Sequence, residues 1–249
     1  MCFRCVQEER KCIMIETLES VVKAVFRLCG MEIKWIPRLQ PYEWLKKMNI
    51  RTVLDIGANT GQFALRLHRI FPESKFYCFE PIADCYTELL NNTKHIPTLQ
   101  AFNFALGDGN TQSKIYRSAY SPSSSLLEME QLHKEAFPFT KDCTMEEITV
   151  RRLDDVAGEL EITDNLLIKL DVQGYEDKVI SGGEKTIKKA GILVVETSFV
   201  PLYKAQLLFE DIYDQLKGLG FMFRGVEDVL RDSRDGTILQ CDSIFSRCS

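Results

Sequence analysis

Residues 52–81 read TVLDIGANTGQFALRLHRIFPESKFYCFEP, and this stretch decides the fold. The apolar run Val53, Leu54 and Ile56 leads through Asp55 into a turn that carries Gly57 and Gly61. Apolar residues then recur at helical spacing through Phe63, Leu65, Leu67 and Ile70, and a second apolar run from Phe76 to Phe79 ends at Glu80. A pattern that changes from strand to helix and back, with glycines at the first joint, predicts a βαβ unit with an acid at the tip of its second strand.

The turn Gly57-Ala58-Asn59-Thr60-Gly61 narrows the choice of ligand. It lacks the middle glycine of a GxGxxG dinucleotide fingerprint, and no lysine follows Gly61 as a phosphate loop requires. The residues suit a smaller ligand without phosphate, which presents a carboxylate and an ammonium to the turn. Glycine lets backbone come close to such a ligand, and a helix N-terminus favours its carboxylate. Glu80, at a strand end, is of the right type to accept two hydrogen bonds from a ribose diol. A methionine tail joined to an adenosine is S-adenosylmethionine.

Later segments sharpen the reading. The motifs are VLDIGANTGQF (53–63), FEP (79–81), FALGD (104–108), SSSL (123–126), LDDV (153–156), IKLDVQGYE (168–176), VVETSFVPLY (194–203) and LQCDSIF (239–245). In this order, and from Arg51 to Phe245, the sequence resembles the FkbM family of S-adenosylmethionine-dependent methyltransferases. The resemblance implies an α/β fold: a doubly wound, seven-stranded, Rossmann-like class I methyltransferase sheet over residues 51–249. It also implies a cofactor site drawn from Asp55, Gly57, Ala58, Asn59, Gly61, Phe79, Glu80, Pro81, Leu106 and Asp108, with the 105–109 turn facing the adenine. Asp108-Gly109 also fits a plain hairpin turn.

Methyl transfer from a sulfonium is an in-line displacement, so the protein must align the acceptor, keep water out and remove a proton. An alcohol proton needs a placed base or a metal. Asp171, Glu176 and Glu196 follow or end apolar runs and are the candidate catalytic residues, because ligands of open α/β sheets bind beyond the carboxyl ends of the strands. Two of them could instead hold Mg²⁺, although no carboxylate-rich cluster stands at close sequence spacing, and no metal ligand is assigned. The resemblance implies O-methylation of a hydroxyl on a sugar, glycan, lipid or secondary metabolite. A protein or nitrogen acceptor, or a binding module without catalysis, are the alternatives.

The remaining features bound the partners. A net charge of −5 offers no field for nucleic acid. Nine cysteines at scattered spacings predict reduced structural thiols and a cytoplasmic location, and Cys2, Cys5 and Cys12 lack the fourth ligand of a zinc site. No apolar run reaches membrane-spanning length, and Glu8, Glu9, Arg10 and Lys11 do not fit a secretory signal. Residues 1–50 read as an N-terminal helical extension, in which Ile13 to Cys29 forms an amphipathic helix suited to the domain surface, to a membrane surface or to contact between copies, although its polar face is not cation-rich. Residues 118–146 read as a polar lid or specificity insertion, helical around Leu126 to Leu132, with Ser124 and Ser125 as possible contacts and His133 as a surface residue.

Overall fold

The computed structural model describes Phe26 and residues 42–118, 121–137, 140 and 143–247. The expected amphipathic helix, the contact between copies through it, and Cys2, Cys5 and Cys12 lie outside the described residues, Phe26 apart. A short 3-10 turn, Glu43–Met48, precedes β1 (Thr52–Ile56), α1 (Gln62–Ile70), β2 (Lys75–Phe79), α2 (Ala83–Thr93) and β3 (Leu99–Phe102). An insertion follows, made of β4 (Ala105–Gly107), β5 (Thr111–Ser118), α3 (Gln131–Ala136) and β6 (Cys143–Arg152). The chain then runs through α4 (Leu153–Ala157), β7 (Leu166–Leu170), α5 (Glu176–Gly182), α6 (Glu184–Ile187), β8 (Ala190–Ser198), α7 (Phe209–Gly218), β9 (Phe221–Arg231) and β10 (Ile238–Arg247). No helix among the described residues is long and apolar enough to cross a membrane.

The main sheet has seven strands in the order β3-β2-β1-β7-β8-β10-β9. Strands β1, β2, β3, β7 and β8 are parallel, and β10 runs antiparallel to both β8 and β9. The strand order reverses between β1 and β7, which opens a crevice at their carboxyl ends. One face of the sheet packs Leu54, Ile56, Ile168 and Val195; the other packs Val53, Leu167, Val194 and Ile244. Burial on both faces explains why these strands read as unbroken apolar runs. Tyr42, Leu45 and Ile50 belong to the second cluster, so part of the expected extension is core of the domain.

Two local expectations are revised. β4 and β5 both pair with β6 in a three-stranded sheet, β4-β6-β5, so residues 108–110 pass the end of β6 and do not form a two-strand hairpin. The helix of the insertion begins at Gln131, not near Leu126. Ser125 and Tyr116 exchange backbone hydrogen bonds of 3.1 and 2.7 Å, which holds the chain extended just before Leu126.

The glycines of the turn are fixed by protein packing. Gly57 has φ 82°, and a Cβ there would lie 1.8 Å from the carbonyl oxygen of Asp171. Gly61 has φ 91°, and its Cβ would meet Leu89 Cδ1 at 2.7 Å. We expect Gly57→Ala to lower stability by about 3 kcal/mol or more, since left-handed strain and a backbone clash add. Urea unfolding checks this, and an unchanged midpoint would contradict it.

Candidate active site

One cavity of about 480 Å³ opens at the carboxyl ends of β1, β2, β7 and β8. Its volume is in the range of small-molecule sites. On one side stand Gly57, Ala58 and Asn59, whose turn is tied to β2 by hydrogen bonds of 3.0 Å from Gly57 N and Ala58 N to the Phe79 carbonyl. Glu80 leaves the tip of β2 and is buried; its Oε2 accepts from Asn59 N at 2.9 Å and its Oε1 from Ile82 N at 2.8 Å. Burial pushes its carboxyl up to about 7, against the pull of those two N–H groups. Each oxygen keeps a lone pair for a further donor. Phe79, Pro81, Ile82, Ala105 and Leu106 complete this side, largely with apolar surface.

The other side is polar because of sheet register. Asp55 pairs with Lys169 across β1 and β7, and Glu196 pairs with Asp242 across β8 and β10. Residues two apart share a face, so Asp171 follows Lys169 and Gln240 precedes Asp242 on that face. The Lys169 ammonium bonds Asp171 Oδ2 at 2.5 Å and lies 5.3 Å from the ring centre of Phe63. Gln173 Nε2 donates to Asp171 Oδ1 at 2.9 Å and to Glu196 Oε2 at 2.5 Å, and Gln240 donates to Glu196 Oε1. Tyr42 donates its hydroxyl to Asp242 Oδ2 at 2.5 Å.

These contacts split the acids. Burial works to raise Asp171, but the Lys169 charge and the donated hydrogen bonds outweigh it and hold its carboxyl below the ordinary carboxylate value. Burial and the Asp171 charge push Glu196 well above that value. Asp171 is therefore the ionised member of the pair and Glu196 the protonated one. Burial also brings Asp55 and Asp242 to about 6, each opposed by Lys169. Lys169 itself is raised: burial alone would lower it, but Asp171, Asp55 and Asp242 keep its charge.

Of the residues singled out from sequence, Gly57, Ala58, Asn59, Phe79, Glu80, Pro81, Leu106, Asp171 and Glu196 line the cavity. Asp55 is buried next to Lys169 in register, Gly61 packs against α2, and Asp108 is exposed past the end of β4, so none of these three is on the cavity wall. Glu176 also turns away from the cavity. Its carboxylate accepts from Val172 N at 2.9 Å and Gly174 N at 3.0 Å, bracing the loop after β7. His133 is not on the surface: it is buried, packs edge-on against Phe137 and Tyr203, and is lowered to about 4 by burial. The acids do not form a site for Mg²⁺, since an ammonium occupies Asp171, glutamine amides occupy both oxygens of Glu196, and Glu176 faces its own loop. The sequence reading passed over Lys169, Gln173, Tyr42, Gln240 and Asp242. The usable signal was Gln240 and Asp242, two polar residues two apart in a core strand.

A mixed seven-stranded sheet of this order, with a glycine turn, a strand-end acid and a cavity at its switch point, has the architecture of a class I methyltransferase. The Methyltransferase FkbM domain matches residues 55–223, and the chain belongs to this family. The 2-O-methyltransferase NoeI of Sinorhizobium fredii is 30% identical over 189 residues, which span 72% of this chain and 77% of that protein. Methyltransferase sdnD of Sordaria araneosa is 29% identical over 171 residues, 58% of this chain and 65% of that one. The crystal structure of methyltransferase FkbM from Methylobacillus flagellatus KT superposes with a TM-score of 0.47 and 15% identity, covering 80% of this chain and 44% of that one.

Glu80 and Glu176, at about 7, stand above the ordinary glutamate value of 4.5. Between those values the folded chain binds more protons than the unfolded chain, so their contribution to stability is present at low pH and lost as pH rises through about 7. We expect a lower urea midpoint at pH 8 than at pH 5.5, with the difference reduced in Glu176→Gln; a midpoint that climbs over this range would refute the assignment.

Proposed function

We propose that the protein is an S-adenosylmethionine-dependent O-methyltransferase acting on a hydroxyl of a small molecule or glycan. The observation that carries this reading is that Glu80 and the Asp171–Glu196 pair stand in the walls of one cavity. When bound, the sulfonium supplies an electrophilic methyl group. Glu80 accepts the ribose diol, while Ile82, Ala105 and Leu106 give the adenine an apolar wall. The backbone of Gly57 to Asn59 and the N-terminus of α1 receive the amino-acid tail. Ionised Asp171 would accept a hydrogen bond from the acceptor hydroxyl, turn an oxygen lone pair toward the methyl carbon, and take the proton as the new carbon–oxygen bond forms and the methyl's bond to sulfur breaks, with S-adenosylhomocysteine as the leaving group. Lys169 keeps Asp171 ionised for that role.

The relative named as a 2-O-methyltransferase supports oxygen as the acceptor atom. Even with Glu196 protonated, the acids Asp171, Asp228 and Asp242 on the acceptor wall outnumber the cations Lys169 and Arg66. That balance favours a polyhydroxylated, uncharged acceptor and disfavours phosphates, nucleic acid included. A cytoplasmic setting is supported by the buried free thiols Cys78, Cys85 and Cys241.

Calorimetry with S-adenosylhomocysteine tests the reading directly: binding at micromolar concentration is expected, and none at high micromolar concentration would end it. Glu80→Ala should weaken that binding by about a hundredfold or more, the worth of two hydrogen bonds to a carboxylate. In the native protein the affinity should rise between pH 6 and pH 8 as Glu80 ionises, and Glu80→Gln should flatten the rise. Asp171→Asn should keep S-adenosylhomocysteine binding and lose transfer of labelled methyl to host extract; full transfer would clear Asp171.

A further inference from the structure

Gln173 is buried, is not glycine, and holds φ at 55°. Such a conformation persists only where its surroundings enforce it, and residues of this kind cluster at functional sites. Here the enforcement comes from two sides. Glu176 takes the N–H groups of the flanking Val172 and Gly174, and Ser125 Oγ donates to the Gln173 carbonyl at 2.6 Å. Ser125 belongs to the insertion, so one end of the clamp lies on the expected lid.

The side chain of Gln173 extends the connection. Its Nε2 donates to Asp171 and Glu196, and its Oε1 accepts from the Tyr203 hydroxyl at 2.7 Å. That hydroxyl also lies 3.3 Å from the Ser123 carbonyl, but it has one proton, and the shorter contact takes it. Tyr203 thereby gives the amide oxygen its donor. The ionised Asp171, which can only accept, sets which way the amide faces: reversed, the amide would turn its oxygen toward that carboxylate. The insertion is fastened to the same place: Glu130 N bonds the Leu202 carbonyl at 2.9 Å, and Lys204 N bonds the Glu128 carbonyl at 2.8 Å.

We propose that Gln173, Tyr203 and Ser125 are positioning residues that couple the closed insertion to the protonation of the Asp171–Glu196 pair. With the insertion seated, the amide lends N–H groups to both acids and favours their charged forms. Where that clamp is lost while the site stays buried, Gln173 gives up its strained backbone, both acids lose the shared donor, and the pair holds its proton more tightly. The catalytic meaning of this coupling rests on the methyl-transfer reading; the coupling itself does not. The charged and titratable groups facing Glu196 are Lys169 from β7, Asp171 just beyond it, Glu176 from α5 and Asp242 from β10, with Tyr203 beside them, and none of these except Tyr203 is altered in the test.

The test is infrared difference spectroscopy on the full chain, following the protonated carboxyl band of Glu196, identified by its loss in Glu196→Gln. In Tyr203→Phe, which keeps the ring and its packing, the midpoint of that band should move up by about half a pH unit to one, the worth of a hydrogen bond between neutral groups, since Tyr203 donates to the amide that holds the pair and not to either acid. Ser125→Ala, which touches neither acid, should move it in the same direction. An unchanged midpoint in either folded variant overturns the coupling. Titration of each protein with S-adenosylhomocysteine separates the two readings. Intact binding with an unmoved band defeats the coupling alone, while a moved band in a chain that never binds supports the coupling and defeats the methyl-donor reading.

Discussion

The carbonyl oxygen of Asp171 lies 1.8 Å from where a side chain on residue 57 would begin, and this joint sets the site. It locks the turn after β1 against the first residue beyond β7. The Asp171 N–H bonds the Ile56 carbonyl at 3.0 Å, which carries the β1–β7 ladder one residue past the strand. The turn that faces the proposed methyl donor and the acid that faces the proposed acceptor are thus fixed to each other through backbone. The backbone separation does not depend on rotamers, and Lys169 and Gln173 fix the carboxylate itself, as alignment of an in-line transfer requires.

Around that joint, register does the rest. The face of the sheet that carries Val53, Leu167, Val194 and Ile244 is apolar along its length and turns polar at its open end. There Lys169 is the cation for Asp171, Asp55 and Asp242 together. A lone ammonium cannot compensate all the buried acids near it, so Asp55 and Asp242 rise to about 6 and Glu196 well above the ordinary carboxylate value, and their environments push their pKa values apart. The division of Asp171 from Glu196 follows from which of them the ammonium touches, with Gln173 holding the two together.

The βαβ side of the cavity was legible because it is local. Strand, glycine turn, helix and strand-end acid lie within residues 52–81, and hydrophobic period reports such a unit well. For the glycines the structure adds a second reason: sequence suggests room for a ligand, and Gly57 and Gly61 also make room for Asp171 and Leu89. Asp108 and Glu176 had suitable types and positions along the chain, but side-chain direction at the end of a short strand and the start of a helix is set by neighbours. Glu176 finds the N–H groups of its own loop. His133 looked solitary in a polar stretch, yet its burial against Tyr203 comes from a segment far along the chain.

The acceptor side is of another kind. Tyr42, Asp228, Gln240 and Asp242 come from either end of the domain and fall outside the 55–223 family match. Arg66, within it, is held at the rim by Asp228 at 3.0 Å and by the Tyr42 ring at 5.6 Å, and Trp44 reaches Glu227 on β9 at 3.2 Å. The two ends of the domain close over the sheet and finish a wall that the βαβ half cannot build. A chain can therefore keep the donor half of this fold and Asp171 unchanged and still take a different acceptor, because Tyr42, Asp228, Gln240 and Asp242, which finish the wall proposed for the acceptor, lie on segments whose sequence is not held by the turn, the strand-end acid or the Gly57–Asp171 joint. Choice of acceptor is then decided where short-range pattern carries least information, through pairings such as Glu196 with Asp242 that exist only once the last strand has entered the sheet.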